Sequence, residues 1–452
     1  MIMNKHLLTA AILGASLNLA SGQAAAAMTA EEVARLSADL TPVGAIRAGN
    51  ADGSIPEWTG GLTTPPAGFD REQGYPNPFA DEEPLMVITA ANMDQYADRL
   101  TEGHKAMLAR FPDSYRIPVY PTHRTAVIPA EEHEIIRSES PTVELAPGGN
   151  GLVNFNQTNV PFPIPKEGIE VIWNHLTRYR ASGYRDYPTE AVVQGNGSFT
   201  PVVRERRLTM AAAMDDAEDN RLFYYWNKAL EPTSVAGSQL LVHEPINHIS
   251  EQRLAWRYNP GARRVLRAPE VGYDSPPITS DGLRTNDSTD MFNGAPDKYN
   301  WELVGKQEML IPYNTYQLAD KGLAYTDIIG AGHINQDLTR YELHRVWVVE
   351  ATLKDGERHI YSKRRFYIDE DSWSIALAED YDGRGELWRV EEAHQIHYYD
   401  QLVPAHHLEA VYDLQSNRYI AYNLQNEEPV VEFGPQGSVG DYSPAVLRRR
   451  GR

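Results

Sequence analysis

The feature that most constrains this chain is a long series of short strand-type segments between residues 188 and 426. The segments are rich in Val, Thr, Tyr, Phe and Trp, and turn pairs such as Asp355-Gly356 and Asp382-Gly383 separate them. Consecutive hairpins form an antiparallel meander, and a long meander must curl because its edges would otherwise stay exposed. We therefore predict a mainly β (α+β) fold. In it, a long antiparallel meander forms a strongly curved sheet or half-barrel, with helices plugging or flanking the concave side.

The clearest hairpin joins residues 343–353 to residues 359–369. Alternation along the first strand places Trp347 and Val349 on one face and Val348 on the other.

Three helices are predicted before the sheet, at residues 29–40, 89–111 and 166–181. Thr29 and Thr89 stand where N-caps of the first two are expected, and apolar residues recur at three- and four-residue steps. The Gly- and Pro-rich stretch between the first two helices predicts an ordered segment that wraps the domain.

We expect a signal peptide at residues 1–27 and one large domain at 28–452. The domain would comprise an N-terminal wrapping part (28–187), the curved sheet (188–426) and a C-terminal tail (427–452). The first 27 residues have a basic start, an apolar run too short to span a bilayer, and a small-residue cleavage site. The chain has no cysteine, which excludes lipid attachment at the cut and thiol chemistry. We predict a soluble periplasmic protein after cleavage near Ala27, not a lipoprotein.

The formal net charge of −20 disfavours nucleic acid and anionic membranes as direct partners. The sequence has neither a phosphate-binding glycine loop nor a Gly-x-Ser-x-Gly elbow. These observations predict a protein that is not an enzyme and needs no cofactor. A hydrolase that uses His394 or His397 with a nearby acid remains a minor alternative.

His394 and His397 are also the best candidates for metal ligands, because Glu391, Glu392 and Asp400 stand beside them. On a helix their spacing would place both imidazoles on one face. The preceding residues are typical of a strand, on which the two would point apart. We predict no metal site there, although the sequence leaves binding near the pair open.

Arginines in residues 261–267 and 364–367 are predicted to lie on strands. Pairing with acids on neighbouring strands is the simpler interpretation, and contact with a lipid headgroup or a carboxylate is the alternative.

Large apolar residues on the predicted strands, together with one tryptophan of the third helix, are candidates to line an apolar ligand cavity. The alternative is that they fill an ordinary core, because only a wide curved sheet encloses a cavity. The candidates are Trp173, Tyr224, Trp226, Trp256, Tyr258, Trp347, Val349 and Phe366.

Long segments of the chain resemble domain-of-unknown-function family 1329 of Gram-negative bacteria, whose members are commonly labelled outer membrane lipoprotein-sorting proteins. The segments that carry this resemblance are residues 40–61, 160–180, 256–276, 290–314 and 340–373.

More distantly, residues 365–389 resemble the late hairpin of LolA/LolB-type lipoprotein carriers. Those carriers are half-open β-barrels that hold acyl chains against a helical lid. This chain is over twice their usual size, so its extra N-terminal segment is a candidate to fill the cavity.

The resemblance implies a non-enzymatic periplasmic carrier or chaperone for an acyl chain, a lipoprotein or another hydrophobic ligand. The alternative is an accessory factor with a filled barrel that binds an outer-membrane channel or an inner-membrane efflux-type transporter. The cargo, the direction of transport and the oligomeric state stay undetermined by the sequence.

Overall fold

The computed structural model describes residues 28–451, the side chain of Glu270 excepted. The predicted signal peptide, residues 1–27, lies outside the described residues. Within the described range, every helix is too short or too polar to cross a bilayer.

The described residues form six α-helices, and short 3₁₀ turns lie within several of the loops. The helices are α1 Ala30–Arg35, α2 Glu102–Arg110, α3 Ala130–Glu139, α4 Gly168–Thr177, α5 Tyr325–Ile328 and α6 Pro444–Arg450.

The helix predicted at 29–40 begins as expected but is shorter. Thr29 forms a capping box with Glu32, which confirms the predicted N-cap of α1. The helix ends at Arg35, where a turn places Asp39 within reach of the Arg35 guanidinium.

The single helix predicted at 89–111 is wrong, because two elements occupy that stretch. A 3₁₀ turn, Met93–Tyr96, comes first, and α2 then begins after Thr101, whose hydroxyl accepts a hydrogen bond from the His104 amide. Thr89 caps neither element with its side chain. The prediction at 166–181 is confirmed for α4, whereas α3 lies in a stretch that was not predicted to be helical.

Nineteen strands are present in the described range. They are β1 Met86–Ile88, β2 Ile117–Val119, β3 Glu144–Leu145, β4 Leu152–Val153, β5 Gly183–Asp186, β6 Thr189–Val193, β7 Pro201–Met210, β8 Phe223–Ala229, β9 Gln239–Glu244, β10 Leu254–Asn259, β11 Arg264–Arg267, β12 Tyr299–Pro312, β13 Tyr341–Leu353, β14 Lys363–Asp369, β15 Ile375–Tyr381, β16 Leu387–Tyr398, β17 Val403–Asp413, β18 Arg418–Leu424 and β19 Glu432–Phe433.

Seventeen of these strands form one sheet, which confirms the predicted long antiparallel meander. Strands β12 to β18 pair in sequence order, and β18 then pairs with β6. Strand β6 pairs with the first part of β7, and β5 with its second part. The other edge of β7 continues through β8, β9 and β10 to β11. The sheet therefore has two halves, β12–β16 and β7–β11, joined through β17, β18, β5 and β6.

The N-terminal part contributes more to this sheet than its composition predicted. Strand β1 pairs with β2, which runs parallel to β13 at a single position, and β5 lies beside β7. The wrapping part is thus hydrogen-bonded into the sheet that it covers.

Helix α4 packs on β12 and β13 and fills one half of the curved sheet. Ile172 and Trp173 are buried there with Val349 of β13 and Phe366 of β14. Gly168 allows the close approach, since a Cβ at this position would lie 2.8 Å from the backbone of Glu302. The prediction that helices plug the concave side is confirmed for this half.

A glycine near the N-terminus allows the wrapping segment to pack closely against the loop before α4. Gly44 has φ +93°, and a Cβ there would lie 1.9 Å from the carbonyl oxygen of Pro163. We expect G44A to lower the free energy of unfolding by more than G53A does. Gly53 also has positive φ (+76°), but its added Cβ would meet no described atom within 4 Å. G53A therefore reports backbone strain alone, about 1–2 kcal/mol, in denaturant unfolding. Equal losses would contradict the close contact at Gly44.

Candidate ligand-binding cavity

A cavity of about 250 Å³ lies in the half of the sheet that α4 leaves unfilled. Strands β5 to β10 form one wall, and β17 and β18 contribute the adjoining side. Residues 271–293, here called the cover segment, also line the cavity, together with two arginines that follow α4 and residues of the C-terminal tail. A volume of this size equals about eight water molecules at ~30 Å³ each, which is room for a small ligand.

Alternate residues on three adjacent strands supply the apolar wall. Leu208 of β7, Phe223 and Tyr225 of β8, and Leu240 and Val242 of β9 all line the cavity. Their odd or even numbering within each strand matches the two-residue repeat of a β-strand. Because successive side chains of a strand point to opposite faces of the sheet, these residues share the face that borders the cavity, and the residues between them point to the other face.

Four of the sequence-predicted residues belong to that other face, on β8 and on β10, which neighbours β9. Tyr224, Trp226 and Trp256 pack with Leu447 of α6. Tyr258 belongs to the same cluster, and it is the one predicted residue that also borders the cavity. The C-terminal tail thus covers the outer face and gives these aromatic side chains a core to fill.

The other four predicted residues lie in the half filled by α4. Trp173, Val349 and Phe366 are buried in its core, and Trp347 packs against it. The Trp173 indole N–H donates to the carbonyl of Gly149 at 2.9 Å. The structure therefore separates the predicted set into two groups and brings only Tyr258 to the cavity.

Seven arginines line the cavity, although the whole chain has a formal charge of −20. Of the lining residues whose side chains are described, three are carboxylates: Asp186, Glu190 and Asp290. The arginines are Arg178, Arg180, Arg204, Arg206, Arg253, Arg257 and Arg284.

The first arginine cluster surrounds Asp290 of the cover segment. Arg178 and Arg180 both donate to its carboxylate, and Nδ1 of His406 lies 3.3 Å from it. Each arginine also donates to a last-turn carbonyl of α4, where the helix dipole favours cations. Burial and the nearby Arg180 guanidinium lower the pKa of Arg178. Positive charge is thus crowded at this end of the cavity.

The second arginine cluster surrounds Glu190 of β6. Arg204 of β7 lies 3.1 Å from one carboxylate oxygen and Arg284 of the cover segment 3.5 Å from the other, and the Thr279 hydroxyl also donates. Burial alone would raise the pKa of Glu190, but the two guanidiniums outweigh it and hold the pKa below its usual value. Glu190 is therefore ionised, with two cations around one anion.

The remaining cavity arginines with a defined carboxylate partner form one-to-one pairs. Arg206 and Asp186 stand opposite each other on β7 and β5, with Nε 2.8 Å from Oδ1, and Arg253 donates to Glu244. Glu244 and Glu409 stand next to lining residues without belonging to the lining. Even with these two added, the six arginines of these clusters and pairs face five carboxylates. The cavity therefore has a positive lining.

The arginine segments singled out in the sequence lie elsewhere. Arg264 and Arg267 of β11 are exposed, and Arg364 is fully buried against Asp380. The sequence signal that would have found the cavity is the alternation of Arg204, Arg206 and Leu208 on β7.

His394 and His397 both lie on β16, in agreement with the strand interpretation of their segment. His394 lies 3.8 Å from Glu392, whereas Nε2 of His397 contacts the carbonyl of Leu62 at 3.0 Å. Burial lowers the pKa of both histidines to about 4, so both are neutral at pH 7. The structure does not bring them to a common centre.

Within residues 28–451, two other groups of side chains place metal-type ligand atoms within 4.8 Å of one another. They are Asp290, His406 and Glu409, and His344, Asp369 and Asp371. Each group already contains an acid that is ion-paired with arginine: Asp290 with Arg178, and Asp371 with Arg124.

Comparison with known proteins gives a family and several relatives. The model of the family described as "Protein of unknown function (DUF1329)" matches residues 87–448. The "Uncharacterized protein PA3922" of Pseudomonas aeruginosa is 53% identical over 441 residues, covering 96% of this chain and 97% of that protein. A DUF1329 family protein of Desulfovibrio piger is similar in structure at 14% identity and a TM-score of 0.42, covering 59% of this chain and 92% of that one. The LolA superfamily protein NE2245 of Nitrosomonas europaea gives 12% identity and a TM-score of 0.37, covering 62% and 98%.

Proposed function

The chain belongs to the DUF1329 family, and we propose that it is a non-enzymatic carrier of the cell envelope that holds the apolar part of a lipid-like molecule. The observation that carries this proposal is the cavity of about 250 Å³ beneath the cover segment, walled by Leu208, Phe223 and Leu240. We propose the periplasm as its location, in keeping with the predicted signal peptide.

The driving force for binding would be desolvation of an apolar chain. Each methylene that moves from water onto the apolar wall contributes about 0.8 kcal/mol. A short stretch of chain is then enough for reversible binding, which is the property that a carrier needs for release.

The cover segment would control access to the cavity. The Met291 amide of this segment donates a hydrogen bond to Glu409 on β17, and the Asn293 carbonyl accepts one from Arg253, which directly precedes β10. The segment is therefore held at two separate parts of the sheet. Loading and release would require these contacts to open, either spontaneously or on contact with a membrane partner such as an outer-membrane barrel or an efflux-type transporter.

Filling the cavity should abolish binding. Leu240 lines the cavity from β9, and L240W would place an indole in the space that the ligand needs. We expect the affinity for dodecanol, measured by competition with the apolar fluorophore N-phenyl-1-naphthylamine, to fall by at least about tenfold, which corresponds to ~1.4 kcal/mol.

The matched control is L266W, because Leu266 is 60% exposed on neighbouring β11 and does not line the cavity. This variant should bind dodecanol as the wild type does. Native mass spectrometry of protein from its own periplasm provides the second test. Absence of copurifying lipid, together with no dodecanol binding by the wild type, would refute the carrier and favour an accessory factor found by pull-down.

A further inference from the structure

The two arginine clusters of the cavity are linked to each other through Glu409. The Arg284 guanidinium lies 4.6 Å from the centre of the Tyr422 ring, and the Tyr422 hydroxyl donates to Glu409. Glu409 is 3.8 Å from His406, which in turn is 3.3 Å from Asp290 in the first cluster. The arginines of both clusters therefore border one continuous polar end of the cavity.

The charges at this end do not balance. Among the described residues, four arginines, Arg178, Arg180, Arg204 and Arg284, face Glu190, Asp290 and Glu409, so one cation is in excess. The carboxylates of Asp290 and Glu409 outweigh burial and raise the pKa of His406, which adds to the positive charge as the pH falls. An unbalanced charge in a secluded site is unfavourable unless an anion enters.

Hydrogen-bonding capacity is also left over. The Nε atoms of Arg178 and Arg284 are buried and have no hydrogen-bond partner among the described residues. Both side chains line the cavity and are about 90% buried or more. Guanidinium groups bind planar or tetrahedral oxyanions through parallel N–H donors, and the present partners of Arg178 and Arg284 leave part of this capacity unused.

From this juxtaposition we infer that the cavity takes an amphiphile with an anionic head. Its carboxylate or phosphate oxygens bind the Arg178/Arg180 and Arg204/Arg284 clusters, and its chain lies along Leu208, Phe223 and Leu240. This inference rests on the proposed function, because it specifies the ligand of the same cavity. The chain's overall charge of −20 makes the positive lining a local property of the cavity and not part of a basic surface.

Three probes of equal chain length test the inference: dodecanoate, dodecyl phosphate and the neutral dodecanol. We expect one or both anions to bind at least about tenfold more tightly than dodecanol at pH 7.5, since charged hydrogen bonds are strong. The relative affinity of dodecanoate and dodecyl phosphate then identifies the head as carboxylate or phosphate. Equal affinity of all three would overturn the anionic head and leave the carrier standing, whereas no binding by any would overturn both.

Two charge variants locate the anion. R284Q should lower the ratio of anion affinity to dodecanol affinity about tenfold. E190Q, which removes the negative charge between Arg204 and Arg284, should increase anion affinity about tenfold relative to dodecanol affinity. It also keeps the test valid if R284Q fails to fold. The matched control is R35Q, because Arg35 is exposed on α1. Unchanged anion affinity in E190Q, or a loss there, would overturn the assignment.

Discussion

Replacing Arg364 with methionine is expected to lower the free energy of unfolding by about 3–5 kcal/mol. Arg364 lies fully buried on β14, with its Nε 2.8 Å from Oδ1 of Asp380. Asp287 and Glu391 also approach the guanidinium, at 3.7 and 3.9 Å. Methionine fills a similar volume, but it leaves buried carboxylates without their counter-ion, which costs more than the pair itself contributes.

The loss in R364M should be smaller at low pH. Burial and the neighbouring Asp380 raise the pKa of Glu391, and the Arg364 guanidinium opposes this rise. Without the guanidinium the pKa of Glu391 in the folded variant rises further, so the folded variant holds this proton to a higher pH than the unfolded chain does. Such a group destabilises the fold increasingly as the pH rises from the unfolded pKa to the folded one. The difference between R364M and the wild type, measured by denaturant unfolding, should therefore shrink between pH 8 and pH 5.

The control for this prediction is R35M. Arg35 forms an exposed pair with Asp39 at 2.7 Å, and such pairs contribute about 0–1 kcal/mol. R35M should change stability little at either pH. A loss in R364M no larger than that of R35M, or one independent of pH, would show that the Arg364 cluster is not the ionic core described above.

Replacing Trp173 with alanine is expected to lower the free energy of unfolding by about 3–5 kcal/mol, the range for truncation of a large buried aromatic residue. Trp173 is 1% exposed in the centre of the α4 core, where the sheet on one side and the chain around Gly149 on the other prevent collapse of the space left behind. W173A therefore tests whether α4 is the plug that fills this half of the sheet.

Two further variants separate the contributions to this effect. W173F keeps an aromatic ring but loses the hydrogen bond to Gly149. The lost bond should lower the free energy of unfolding by about 1 kcal/mol, and the smaller ring should lower it further through lost packing. W58A removes a half-buried tryptophan outside the plug and should cost less than W173A. Denaturant unfolding at pH 7.5 provides the measurement. If W173A were no more destabilised than W58A, α4 would not be the principal packing element of this half.

The meander could be predicted because its determinants are local. Turn pairs and strand-type segments place β13 and β14 within a few residues of their observed bounds. The same kind of local reasoning failed at residues 89–111, where a continuous apolar periodicity conceals the break before Thr101. Capping by the Thr101 hydroxyl decides where α2 begins.

The candidate site was harder to predict, because a two-residue repeat does not say which face of a strand points inward. On β8 the sequence Phe223-Tyr224-Tyr225-Trp226 offers large aromatic residues to both faces. The tail that carries α6 covers Tyr224 and Trp226, and this leaves Phe223 and Tyr225 to face the cavity. That choice depends on residues more than 200 positions away, whose packing no local pattern encodes.

The sequence by itself determined the long antiparallel meander and the alternation of side chains along each strand, because both follow from backbone geometry and neighbouring residues. Only the tertiary structure decided which half of the curved sheet α4 fills and which half keeps a cavity. It also decided that Arg178 meets Asp290, 112 residues further along the chain, at the polar end of that cavity. Such pairings depend on how segments that are distant in the sequence pack together, and their charges interact strongly because burial removes the screening by water.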